Sequence, residues 1–210
     1  RTTRTPAPPG SLPEVGVTRD QTLHVIAFGP DDFYEARLSD VAAARALRER
    51  FPVVWIDLIG HGDVALLDAV RNAFGLHALA IEDVANLGQR PKVEDYHQNL
   101  FTVVRMLEAE GAGLVSEQLA LFLLDGVLVT FQERSGDCLD SLRERIRDAR
   151  GRVRSMSSGY LFYSVLDAVI DGYFPLIESV GDRVEALEED VLFGPNADPI
   201  GPLHEAKRDL

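Results

Sequence analysis

Two adjacent carboxylates, Glu82 and Asp83, stand near the end of an otherwise apolar run from Ala78 to Val84. A second set, Asp167, Asp171, Glu178, Asp182, Glu185 and Glu189, falls within a sector of about 60° when residues 160–191 are wound as a helix. Carboxylates are hard oxygen donors. Mg²⁺ releases water reluctantly and is usually held by one or two carboxylates plus several waters, so Glu82 with Asp83, facing an acid from elsewhere, supplies enough protein oxygen for it. Zinc asks for clustered His or Cys. His61 and His77 lack the paired spacing, and Cys138 is the only cysteine. The same residues also read without chemistry, the pair as part of a helix-turn-strand connector with solvated charges and the stripe as a solvated helix surface.

The elements that must position these acids follow from the surrounding residues. Gly88 and Pro91 stop the helix that carries Glu82 and Asp83. Lys92 to Tyr96 then continues as a strand, with Val93 facing one way and Lys92 and Glu94 the other. The stripe needs one long helix whose opposite side collects Val169, Tyr173, Leu176, Val180, Val184, Leu187 and Val191. Pro175 removes the hydrogen bond to Asp171, so the sector survives only if a kink leaves its phase intact. From Tyr160 to Asp190 eight acids stand against one base, Arg183, a local net charge of -7. Like charges one turn apart each cost the helix a few tenths of a kcal/mol, which a cation or a basic partner face would remove.

Elsewhere the pattern is α/β, a mixed sheet with helices on both faces followed by a long acidic helical hairpin. Residues 1–15, rich in Pro, Thr and Gly, read as a flexible arm. Residues 16–155 form the α/β domain, and 156–210 the hairpin. Strands are expected over Leu23–Phe28 and Phe33–Leu38, and a helix capped by Ser39-Asp40 runs to Arg50. Val53–Ile59 reads as a strand buried on both faces. A helix then runs to Phe74. Asn99–Leu107, Leu114–Leu124 and Val127–Glu133 form an antiparallel meander turning at Asp125-Gly126. Asp137–Ala149 is an amphipathic helix with Leu139, Leu142 and Ile146 inward and Arg143, Arg147 and Arg150 outward. Asp57, in the buried strand, reads as a turn-stabilising acid rather than a ligand or catalytic carboxylate.

The net charge of -13 over 210 residues argues against nucleic-acid binding and for cation affinity or simple solubility. A lone cysteine allows no intrachain disulfide and points to a reducing compartment. No stretch reaches the roughly 20 apolar residues that a membrane helix needs, and no secretory signal opens the chain. A start without Met and a stop at Arg208-Asp209-Leu210, inside a polar helical pattern, read as a fragment of something longer.

The run His77-Ala78-Leu79-Ala80-Ile81-Glu82-Asp83-Val84, then Asn86, then Gln89-Arg90-Pro91-Lys92-Val93-Glu94-Asp95-Tyr96, resembles the signature of the cytoplasmic domain of CorA-type magnesium and cobalt transporters. Trp55-Ile56-Asp57-Leu58, Ser116-Glu117-Gln118, Thr130-Phe131-Gln132-Glu133, Leu142-Arg143-Glu144-Arg145-Ile146 and Asp167-Ala168-Val169-Ile170-Asp171 fall in the family's order, so the resemblance covers roughly Val53 to Leu210. It implies a homopentameric channel in the cell membrane, this segment being cytoplasmic and joined to the membrane through C-terminal helices that the chain lacks. Mg²⁺, and in the same role Co²⁺, would be both cargo and regulatory ligand, bound between subunits so that bound metal keeps the ring closed. The acids matching the family's metal-binding positions are Glu82, Asp83 and Asp167, with Asp171 one turn further on; a further acid belongs to the absent pore helix. No catalysis is implied. Two other readings stay open: the zinc-transporting branch of the same superfamily, and a soluble enzyme of phosphoryl transfer using Asp57, Glu82 and Asp83 around Mg²⁺. The second would need a phosphate-cradling Gly loop or a basic clamp, and only Arg90 and Lys92 lie near in sequence.

Overall fold

The computed structural model describes residues 22–60, 64–110, 113–134 and 136–193. Seven strands form one sheet: β1 (Thr22–Phe28), β2 (Phe33–Leu38), β3 (Val53–Ile59), β4 (Lys92–Asp95), β5 (Leu100–Glu110), β6 (Gly113–Leu124) and β7 (Val127–Gln132), in the order β2-β1-β3-β7-β6-β5-β4. Every pairing is antiparallel except β3 with β7, so the sheet is mixed. The meander forms as expected, and Gly126 takes the positive φ of 70° that its two-residue turn requires.

Alternation along the central strands divides the core in two. One side gathers Val25, Val54, Ile56, Phe101, Phe122 and Phe131 under α1 (Val41–Ala46), α2 (Val64–Phe74) and α3 (Ala78–Ala85). The other gathers Phe28, Trp55, Leu119, Leu121 and Leu128 under α4 (Asp140–Arg147) and α5 (Ser158–Asp171). Asp40 caps α1 by accepting from the Ala42 amide at 2.9 Å, and the expected run to Arg50 is completed by a 3₁₀ turn over Leu47–Glu49.

Gly172, still in helical geometry, separates α5 from α6 (Tyr173–Phe193). Pro175 therefore sits in the first turn of a new helix, where its missing N–H costs nothing. The phase survives. Val169 and Val180 are buried, Asp167 is half-buried, and Asp171, Glu178, Asp182, Glu185 and Glu189 are exposed. The side chains of Leu187 and Val191, the flexible-arm segment, the turn at His61 and the returning arm of the hairpin lie outside the described residues.

Two expectations are corrected. Arg143 does not face outward: it is 6% exposed and turns into the core, because Asp57 lies buried on that face of β3 and needs a counter-charge. And a membrane-length stretch does exist: Ser158–Ala186, which runs from α5 through the helical Gly172 into α6, is 29 residues long with mean hydropathy 1.2 in its most apolar part, enough by length and composition alone to cross a bilayer. A count of apolar residues misses it because Asp167 and Asp171 interrupt the run that Leu161, Val165 and Val169 belong to.

Candidate functional site

α3 is held at both ends. His77 caps its start, Nδ1 accepting from the Leu79 amide at 3.3 Å, and its imidazole stacks on Tyr96 with ring centres 4.4 Å apart. Ala80, Ile81, Val84 and Ala85 bury one side, leaving Glu82 and Asp83 half-buried on the other. Beyond the stop at Asn86 the loop is pinned to the meander. The Arg105 guanidinium donates to the Leu87 carbonyl at 3.0 Å. The buried Gln118 amide accepts from the Gln89 N–H at 3.2 Å and donates to the Asp83 carbonyl at 3.2 Å. These contacts fix the direction in which the acid pair projects.

Asp83 is not a free carboxylate. Lys92 Nζ lies 2.6 Å from Asp83 Oδ2 and 3.0 Å from Glu94 Oε1. Partial burial alone would depress this ammonium, but the hydrogen bonds to Asp83 and Glu94 outweigh it and hold the Lys92 pKa above its ordinary value. The Tyr96 hydroxyl donates to Glu94 Oε2 at 2.8 Å and, with Lys92, keeps the Glu94 carboxyl below the usual range. Burial and that same contact push the Tyr96 phenol up to about 12. Lys92 was legible as a strand residue facing with Glu94; its grip on Asp83 was not.

Asp167, on α5, accepts a hydrogen bond from the Tyr163 hydroxyl one turn earlier, at 3.1 Å, and Asp171 is exposed. The structure does not bring these acids to Glu82 and Asp83 within one chain. α3 belongs to one side of the sheet and α5 to the other. Among the described residues no three His, Cys, Asp or Glu side chains cluster closely enough to hold a metal ion. In its donors the acid pair still suits a water-rich Mg²⁺ site, which asks for no more than one or two carboxylates, provided Lys92 yields Asp83.

Asp57 belongs to neither group. Its carboxylate accepts from Thr130 Oγ1 at 2.7 Å, from Gln132 Nε2 at 2.9 Å and from Arg143 Nη2 at 2.7 Å, and Thr130 in turn accepts from the Trp55 indole at 2.9 Å. The parallel register that sets Asp57 opposite Thr130 builds this network. It is a buried structural acid, though in the core rather than at a turn. Facing α4 while Glu82 and Asp83 ride on α3, it cannot join them, which removes the constellation a phosphoryl-transfer centre would need. Burial, with the Asp137 charge beside it, also pushes the Cys138 thiol up to about 11, which favours the protonated thiol near neutrality.

Residues 52–210 match the family model described as CorA-like Mg2+ transporter protein. The chain is 36% identical over 206 residues to the cobalt/magnesium transport protein CorA of Thermotoga maritima, covering 97% of this chain and 59% of that protein. It is 34% identical over 137 residues to the putative metal ion transporter YfjQ of Bacillus subtilis, covering 64% and 41%. Among solved structures it is similar to the soluble domain of CorA from Methanocaldococcus jannaschii, with a TM-score of 0.66 at 16% identity over 89% of this chain and 72% of that one. It is also similar to the full-length CmaX protein, with a TM-score of 0.72 at 16% identity over 90% and 57%. The chain thus spans less than two thirds of the length of these curated relatives.

Proposed function

The chain belongs to the CorA-like Mg²⁺ transporter family, and on that premise we propose that it is the metal-sensing part of a homo-oligomeric channel for Mg²⁺ or Co²⁺, lying on the cytoplasmic side of the cell membrane. Glu82 and Asp83 of one copy face Asp167, with Asp171 beside it, of the next, and a hydrated divalent ion sits between them. One observation carries this reading: the helices that bear the two sets of acids pack on opposite sides of one sheet. A surface whose complement lies on the molecule's other side makes a head-to-tail contact, and such contacts close into rings when the rotation allows; the family resemblance gives that ring five members.

Acidic surfaces brought together repel each other, and a bound divalent ion supplies the charge that turns this repulsion into a bridge. The ion shifts the assembly only by its differential affinity for the joined and separated states. A millimolar site corresponds to roughly 4 kcal/mol of binding, enough to respond over the range of a weak sensor. The test is limited proteolysis of the full-length protein with and without Mg²⁺. Asp83→Ala and Asp167→Ala should each abolish most of the Mg²⁺-dependent protection, and protection persisting in both variants would remove these residues from the site.

A further inference from the structure

The register of β4 on β5 sets Lys92 opposite Val103 and Glu94 opposite Phe101, which turns both toward the side of the sheet that α3 covers. The Lys92 ammonium stands over the Phe101 ring, Nζ 5.6 Å from its centre, and within hydrogen-bond distance of both Asp83 and Glu94. At 2.6 Å from Asp83 Oδ2 it competes with any cation that binds that oxygen.

From this geometry we infer that Lys92 is the resident counter-ion of Asp83, and that it sets the Mg²⁺ concentration at which this acid is recruited. The metal and the ammonium exchange places on the carboxylate. The inference rests on the reading of Asp83 as a metal-facing acid. With Lys92 seated, the three side chains Asp83, Lys92 and Glu94 carry a net charge of -1; with it swung out, the two carboxylates present -2. Lys92 is about a quarter exposed, and its flexible four-carbon stem gives the strongly hydrated ammonium a route to water. Displacing the ammonium gives up its attraction to the acid, and for unit charges about 3 Å apart in a water-like medium that is worth roughly a tenfold change in occupancy.

A competitor and a strut predict opposite signs. If Lys92 only fastened α3 to β4, removing its charge would loosen Asp83 and weaken metal binding. As a competitor, its loss strengthens binding. The measurement is the Mg²⁺ concentration giving half-maximal protease protection of the full-length protein. Lys92→Met, which keeps an unbranched stem, and Lys92→Gln should both lower that midpoint about tenfold, while Lys92→Arg keeps it within about twofold. A midpoint unmoved or raised in both neutral variants overturns the inference, and so does failure of both to fold, since that is the behaviour of a strut. Asp83→Ala, run alongside, separates the two levels. If it leaves the Mg²⁺ response intact, the site itself is misassigned; if it abolishes the response while Lys92→Met does not lower the midpoint, only the role of Lys92 falls.

Discussion

At the scale of single residues, the structure shows charge being spent in two different ways. Asp57 and Arg143 are both withdrawn from water and joined at 2.7 Å, with Asp137 also on the guanidinium at 2.6 Å. Breaking such a pair leaves an unmatched buried charge, so Arg143→Ala should destabilise the protein by about 3–5 kcal/mol, and Asp57→Asn with Arg143→Met should recover much of the loss. Urea midpoints of the single and double variants measure this; a cost below about 1 kcal/mol for Arg143→Ala would mean that Asp57 is not ionised in the core. Asp83 and Lys92, by contrast, remain partly in water. The helical pattern around Arg143 places it on the polar side because a wheel counts only polarity. The acid that draws it inward lies 86 positions earlier in the chain.

Elements were legible where the chain carries its own punctuation. Gly88 and Pro91 divide α3 from β4, Asp125-Gly126 turns β6 into β7, and Asp40 starts α1. The attachment of α4 to the sheet edge was not, because it depends on strand order. Arg147 of α4 clasps Glu35 of β2 through two hydrogen bonds, at 2.7 and 2.9 Å, and His24 of β1 meets the same carboxylate at 2.9 Å. The Arg147 hydrogen bond leads in holding the Glu35 carboxyl below its ordinary value of 4.5, against a smaller opposing effect of burial. A depressed acid stabilises the fold above its unfolded pKa and loses that contribution as pH falls through the folded one. Glu35→Gln should therefore cost stability at pH 6, and the gap from wild type should shrink as pH drops below about 4.5. Chemical denaturation across that range checks the sign. A gap constant with pH would mean that the clasp acts through packing alone.

For the molecule as a whole, the decisive feature is the one least visible in the residues. The pattern marks Glu82, Asp83 and Asp167 as acids able to meet a divalent ion, yet only the assembled sheet reveals that α3 and α5 lie on its opposite sides. Within a single chain these acids never converge. The head-to-tail contact we propose would bring them face to face, and a molecule built that way would gain its metal site by association. Oxidative cross-linking addresses that claim directly, in the full-length protein carrying Cys138→Ser, with Asp83 and Asp167 kept as acids. Glu82→Cys combined with Asp171→Cys should give disulfide-linked multimers whose yield changes on adding Mg²⁺, whereas each single variant stays unlinked. Monomers alone from the double variant, with and without Mg²⁺, would contradict an interface in which these two surfaces face each other.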